Sequence, residues 1–160
     1  MMKPASFLLL GWMFCFSASA APPKMIAENR FTNPTDVIRH YAERDSWGFV
    51  WSGLSQDERT ALTQWSSSPL PQTAYLIRKY EIIEPVKIAG DQARVEILYD
   101  VIAYTDGRGT QLPFTGPTKR VIYELKKTAG IWRISGPSPL QQPAFVRPDR
   151  YPLPLPELNP

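Results

Sequence analysis

Two pairs of polar residues have the types and the spacing that acid–base chemistry needs. Asp36 and His40 are four residues apart in a segment with helical periodicity, so their side chains can meet on one face. A carboxylate beside an imidazole raises the pKa of the ring and orients it, which makes a proton-transfer dyad. Asp100 and Tyr104 are four residues apart in a strand pattern, which predicts that both project from the same strand face. If the protein is an enzyme, we expect these four residues to be its catalytic groups.

Each pair also has a structural interpretation, and we favour it. Asp36 suits the first turn of a helix, where a carboxylate interacts with the positive helix end. Asp100 lies opposite the apolar strand face, so we expect it to point to solvent or to a partner. Other catalytic arrangements are missing from the sequence, which has no G-x-S-x-G motif, no glycine-rich phosphate loop and too few histidines for a typical zinc site. We therefore expect no catalytic set, no metal and no cofactor.

Residues 1–20 have the features of a secretory signal peptide. Lys3 supplies the positive start, Phe7–Phe16 is an apolar run, and Ala18 and Ala20 are the small residues that a signal peptidase requires. The apolar run is too short to cross a bilayer core of about 30 Å. We expect cleavage after Ala20, no stable membrane anchor after cleavage, and a periplasmic or secreted bacterial protein.

The composition of the 160-residue chain is globular, with 43% hydrophobic and 21% charged residues. Cleavage of the leader removes Lys3 and Cys15, which lowers the formal net charge from +3 to +2 and leaves no cysteine. The mature chain therefore has no disulfide and needs an ordinary hydrophobic core. So small a charge does not predict nucleic acid or an anionic membrane as the partner.

Hydrophobic periodicity predicts helices followed by strands. Asn33 and Pro34 are cap and first-turn residues for a helix that runs to about Ser46, and Ser55 with Glu58 forms a capping-box motif that begins a second helix. After residue 72 the period changes from 3.6 to 2. The strands are expected over residues 74–88, 92–104, 118–128 and 131–135. This order predicts an α+β fold, with N-terminal helices packed on a curved antiparallel sheet of about four strands.

The chain divides into four segments by composition. After the signal peptide, residues 21–33 are expected to be a flexible lead-in and residues 34–136 a cone-like α+β domain. Residues 137–160 contain eight prolines, which favour an extended arm and exclude a helix or a central strand. A purely solvated tail needs no apolar side chains. The candidate partner-binding residues of this arm are Phe145, Tyr151, Leu153 and Leu155.

Two short motifs carry a resemblance to a known family. Residues 90–97, which read GDQARVEI, and residues 130–134, which read GIWRI, follow helical segments in the order expected of one domain. The region 34–136 resembles nuclear-transport-factor-two-like (ketosteroid-isomerase-like) domains, and cystatin-like sheets share the same pattern. The resemblance implies a cone with a sheet-lined pocket under the helices. Such domains include isomerases, dehydratases and non-catalytic envelope domains, among them one of type IV secretion machines, so the family alone does not set the function.

Three functions remain open from the sequence. The favoured one is an exported, non-catalytic protein-interaction module of the bacterial envelope, such as a secretion-system or envelope-complex accessory. The second is a small-molecule binding or isomerase/lyase-type pocket in the cone, and the third is a periplasmic immunity or inhibitor protein. Leu98 and Ile102 are apolar residues on the otherwise polar strand face. They suggest that two copies can pair through the sheet.

Overall fold

The structure, a computed structural model, describes residues 31–65, 71, 73–105, 111–113, 116, 118–138, 141 and 143–150. The signal peptide, its cleavage after Ala20 and nearly all of the lead-in 21–33 lie outside the described residues. The fold is α+β, as the sequence predicts, because a layer of helices precedes a sheet and packs against it.

The first helix, α1 (Pro34–Ser46), begins where the sequence predicts. The side chain of Asn33 accepts a hydrogen bond of 2.9 Å from the backbone N–H of Thr35, and proline occupies the first helical turn. Apolar residues recur on one side of the helix and are fully buried. This buried stripe consists of Val37, Ile38, Tyr41 and Ala42. It packs α1 onto the sheet.

Two shorter helices follow α1. Gly48 adopts a positive φ of 80°, which lets the chain turn sharply into α2 (Phe49–Ser52). The third helix, α3 (Gln56–Leu62), has the predicted capping box, in which the Ser55 hydroxyl and the Glu58 carboxylate each accept the other residue's backbone N–H.

The sheet contains six strands rather than about four. They are β1 (Ala74–Ala89), β2 (Gln92–Thr105), β3 (Gln111–Pro113), β4 (Lys119–Thr128), β5 (Ile131–Gly136) and β6 (Ala144–Val146). The spatial order is β5-β4-β2-β1-β6, with β3 paired to β2. All the pairings are antiparallel except that of β6 with β1, so the sheet is mixed and the expectation of a purely antiparallel sheet is corrected.

The sixth strand comes from the segment that was expected to be a proline-rich arm. Residues 144–146 contain no proline and pair with the start of β1 at one side of the sheet. A short strand between prolines can form there because an edge strand needs hydrogen bonds on one side only.

One face of the sheet, which we call the inner face, packs against α1. Alternate residues of β2 and β4 point into this interface and are buried, as period two requires. The inner-face residues are Val95, Ile97, Tyr99, Val121, Tyr123 and Leu125. Their neighbours along each strand form the outer face, which carries charged side chains.

A β-bulge at Ile102 interrupts the alternation in β2. Val101 lies opposite Ile77, but the next pair along the ladder is Ala103 with Leu76, so β2 has one extra residue at this point. Every side chain beyond the bulge changes face. Tyr104 therefore returns to the inner face, beside its cross-strand partner Tyr75.

The two ends of α1 lie at opposite sides of the sheet. Just before the helix, the carbonyl of Phe31 accepts a hydrogen bond of 2.8 Å from the N–H of Trp132 in β5. At the end of the helix, the Asp45 carboxylate accepts the N–H of Phe145 in β6. The helical layer thus covers the inner face from one side strand to the other and satisfies backbone groups on both.

Candidate functional site

The structure does not form the candidate Asp36–His40 dyad, in line with the structural interpretation that the sequence analysis favours. Asp36 instead makes an exposed ion pair of 2.6 Å with Arg39. His40 is half-buried with its ring 5.8 Å from that of Phe31, and the pKa of His40 is lowered by burial and then by the positive charge of Arg44. A partner carboxylate would raise this pKa, so the histidine has the electrostatics of a packed neutral ring.

Asp100 and Tyr104 lie on opposite faces of the sheet, and the prediction that they share a face is wrong. Asp100 is on the outer face, where its carboxylate is 3.0 Å from Arg78 of β1. Tyr104 is on the inner face with its ring 6.1 Å from that of Tyr75. The bulge at Ile102 is the cause, because strict alternation would place both side chains on one side.

The four candidate catalytic residues therefore do not converge. Asp36 and His40 are on α1, which packs on the inner face, while Asp100 points away from it. Three open clefts lie around Arg94 at the β1–β2 hairpin end, and none of the four residues lines these three clefts.

Aromatic rings fill the space between α1 and the sheet. Tyr99 and Phe145 stack with ring centroids 3.7 Å apart, and Tyr41 packs edge-on against Tyr123 at 5.6 Å. All four side chains are fully buried. This is the space in which the family resemblance places a pocket.

Two hydroxyl groups lie inside this aromatic packing. The hydroxyl oxygens of Tyr99 and Tyr123 are 3.1 Å apart, within hydrogen-bond distance. Burial raises the pKa of Tyr99 and of Tyr41 well above the usual value for a phenol. The phenols therefore stay neutral at physiological pH.

Asp45 is a fully buried carboxyl group beside these rings. Its Oδ2 accepts the N–H of Phe145 at 3.1 Å, whereas Oδ1 has no hydrogen-bond partner among the described residues. Burial raises the pKa of Asp45 well above its ordinary range, and the hydrogen bond from Phe145 opposes that shift. A neutral acid beside phenols can donate hydrogen bonds to a developing oxyanion, but these groups are enclosed in the core and their observed role is to pack it.

A second buried polar pair links α1 to α3. Arg44 and Glu58 form an ion pair whose side chains are only 6% and 7% exposed. The guanidinium of Arg44 also lies 3.5 Å over the ring of Phe49, a cation–π contact. Because Glu58 also completes the capping box of α3, this pair connects the start of one helix to the end of another.

The structure corrects the interpretation of Phe145. This residue was expected to be a partner-binding side chain of the C-terminal arm, but its ring is fully buried and stacks on Tyr99. The other candidates of the arm, Tyr151, Leu153 and Leu155, lie outside the described residues.

Sequence reasoning missed the buried polar groups, although signals for two of them exist. Asp45 follows Ile38 and Tyr41 at helical spacing, so it falls on the apolar stripe of α1. Tyr99 and Tyr123 both fall on the inward period of their strands. Nothing local to Phe145 shows that it packs beneath α1, because the contact spans a hundred positions.

Ion pairs cross the outer face of the sheet. Arg94 pairs with Glu124 at 3.1 Å, and Arg120 pairs with Glu96 at 2.8 Å. Ile122 lies among them and is 49% exposed. Leu98 and Ile102, the residues on which the sequence-based dimer prediction rests, are half-buried.

No helix among the described residues is long and apolar enough to span a membrane. The same part of the chain brings together no cluster of three or more His, Cys, Asp or Glu side chains that could hold a metal ion.

Comparison of the chain with protein-family models, with curated proteins and with solved structures finds no match.

Proposed function

We propose that the protein is an exported, non-catalytic protein-interaction module of the bacterial envelope, an accessory of a secretion system or of another envelope complex. The observation that carries the proposal is the packing of Tyr99 against Phe145, 3.7 Å apart, in the space where a related enzyme needs its pocket. A domain with a filled interior acts through its surface. The leader-like residues 1–20 support the export part of the proposal.

We assign the fold to an abbreviated nuclear-transport-factor-two-like domain as part of this proposal. The support is the order of helices before a mixed sheet, together with the motifs at residues 90–97 and 130–134, which lie at the start of β2 and in β5. That superfamily includes non-catalytic envelope domains, which agrees with a filled cone.

The contact with the partner is assigned to the residues that follow Arg150. A 3-10 turn (Pro148–Arg150) ends the described chain, and its Arg150 guanidinium lies 3.9 Å over the ring of Trp47. This contact holds the chain against the end of α1. The apolar residues beyond it, Tyr151, Leu153 and Leu155, remain the candidate partner-binding side chains.

Truncation tests the proposal, provided that the cut spares β6. Removing residues 151–160 leaves β6 and the turn in place, so the variant should still fold, as a cooperative unfolding transition would verify. We expect that chemical crosslinking in intact cells captures a defined envelope protein with the full chain and loses it with the truncated chain. Replacing Glu157 and Asn159 by Ala provides a matched control within the same segment. Equal recovery of the partner by the truncated chain would contradict the assignment to the arm.

Cell fractionation tests separately the proposal that the protein is exported. A periplasmic or secreted product whose mass corresponds to a start at Ala21 is expected. A product that retains residues 1–20 in the cytoplasm would contradict it. A partner identified as a toxin would make the module an immunity protein, the third possibility of the sequence analysis.

One observation favours a second candidate function, the binding of a small molecule. Asp45, whose pKa is raised by burial, lies with the hydroxyls of Tyr99 and Tyr123 beside stacked rings, an arrangement of polar groups that suits a phenolic or enolic ligand. A thermal-shift titration with 2-naphthol tests it. Stabilisation that disappears in Tyr123→Phe would favour this second function, whereas no shift agrees with the interaction module.

A further inference from the structure

The longest strand of the sheet has an open edge. β6 pairs only with Ala74, Tyr75 and Leu76, at the start of β1. The 3-10 turn Pro148–Arg150 also contacts β1, but over Ile77–Ala89 no strand among the described residues pairs with β1 on the side away from β2. An open edge is where another strand can be added by backbone hydrogen bonds.

The hydrogen-bond pattern of the hairpins shows which backbone groups this edge presents. The N–H of Lys127 donates to the carbonyl of Asp91 at 2.7 Å, so residues at odd positions of β2 bond to β4, and those at even positions bond to β1. In β1 the partners of even-numbered β2 residues are Lys79, Glu81 and Ile83. The N–H and C=O groups of Tyr80 and Ile82, which lie between them, therefore point to the open edge.

Irregularities limit the regular part of this edge. The β1–β2 ladder shifts register between Ile77 and Lys79 and again between Ile83 and Lys87. Regular pairing is thus confined to Lys79–Ile83. An added strand can be only a few residues long, which predicts a weak and reversible contact.

The side chains along this edge are complementary to those of an identical strand that runs in the opposite direction. Lys79 and Glu81 lie on the outer face, both are exposed, and neither makes an ion pair with any described residue. The strand therefore presents a positive, an aromatic and a negative residue in sequence. Read in the antiparallel direction, a second copy presents a negative, an aromatic and a positive residue.

The charges on other elements that act on Tyr80 include both signs. Burial is the main cause of the raised pKa of Tyr80, and the charges of Glu43, Arg147 and Arg39 also act on it. The edge is therefore surrounded by charges of both signs. Charges of one sign only would repel an identical chain.

We propose that a second copy of this chain adds to the β1 edge in antiparallel orientation, with the two-fold axis at Tyr80. In this register the two Tyr80 residues exchange a pair of N–H···O=C hydrogen bonds. Lys79 of each copy faces Glu81 of the other, so the ion pair forms twice. The alternative register that pairs Tyr80 with Ile82 places the two Glu81 carboxylates opposite each other, and their repulsion disfavours it. This dimer is separate from the contact that the proposed function assigns to the C-terminal residues.

Charge reversal tests the register. Sedimentation equilibrium of the purified chain should show a monomer–dimer equilibrium. Lys79→Glu and Glu81→Lys should each raise the dissociation constant about tenfold, because each turns two attractive contacts into repulsive ones. The double variant, Lys79→Glu with Glu81→Lys, should return to within about threefold of the original value, since the exchanged charges are again complementary.

Two control variants make the result specific. Lys126→Glu changes the net charge equally on β4, away from the edge, and should leave the dissociation constant unchanged. Leu98→Asn alters the outer face and should also have no effect. A chain that stays monomeric at about millimolar concentration would overturn the proposal. A dimer that resists the charge reversals but is lost in Leu98→Asn would also overturn it, in favour of the outer face.

Discussion

The carboxylate of Asp45, in the last turn of α1, accepts the backbone N–H of Phe145 in β6 at 3.1 Å. One residue away, the carbonyl of Ser46 accepts the N–H of Arg147 at 2.9 Å. These are N–H groups on the side of β6 away from β1. The end of a helix thus takes the place of the next strand for β6, and a buried acid provides one of the two bonds.

Substitution of Asp45 should separate the role of its hydrogen bond from that of its charge. Asp45→Ala removes the acceptor and leaves the buried N–H of Phe145 unpaired, so the free energy of unfolding should fall by about 1–3 kcal/mol. Asp45→Asn keeps an acceptor oxygen at nearly the same place and should cost less. Urea unfolding at pH 7, followed by tryptophan fluorescence, measures both values. Equal losses in the two variants would show that the hydrogen bond is not what stabilises β6.

The free energy of unfolding should depend on pH because burial raises the pKa of the same carboxyl group. Burial raises the pKa of Asp45 in the folded protein above its unfolded value. The folded state therefore favours the protonated form, and this stabilisation is complete below a pH of about 4 and is lost as the pH rises through the folded pKa. Asp45→Asn has no such titration, so the stability of the original protein relative to this variant should fall with rising pH. A difference that stays constant between pH 4 and pH 9 would contradict this account.

The hydroxyl groups of Tyr99 and Tyr123 should be energetically coupled. Tyr123→Phe leaves the buried hydroxyl of Tyr99 without the partner that lies 3.1 Å away, which should cost about 1–3 kcal/mol. Replacing both residues by Phe removes donor and acceptor together and should cost less than the sum of the single changes. Thermal or urea unfolding of the original protein, of Tyr99→Phe, of Tyr123→Phe and of the double variant completes a double-mutant cycle. Additive losses would show that the two hydroxyls do not interact.

The buried ion pair between Arg44 and Glu58 should matter far more than an exposed pair. Glu58→Gln keeps an acceptor for the capping box but removes the carboxylate charge beside the buried guanidinium of Arg44, so we expect a loss of about 3 kcal/mol. The matched control is Glu124→Gln, which breaks the exposed pair with Arg94 and should cost less than about 1 kcal/mol. Similar losses for both variants would mean that burial does not distinguish the pairs. Chemical denaturation at low and high salt provides the comparison.

Local signals in the sequence predicted the elements well, because each signal acts within a few residues. The Asn33 cap and the Ser55 capping box mark the starts of α1 and α3, and the change of period after residue 72 marks the sheet. The inward face of β4 also follows from simple alternation.

The errors arose where distant parts of the chain decide the outcome. The bulge at Ile102 depends on how β2 meets β1, and it moves Tyr104 to the other face from Asp100. β6 depends on an open place beside β1 and on acceptors at the end of α1, which no property of residues 144–146 reveals. For the same reason the candidate site was placed on surface residues, while the buried polar groups of α1, β2 and β4 were not recognised.

The bond between Asp45 and Phe145 joins positions a hundred residues apart. A growing polypeptide cannot make it until Phe145 has been synthesised, so the final cooperative step of folding must wait for the segment that forms β6. The place of this strand late in the sequence thus keeps the core from closing until the segment that forms β6 is available.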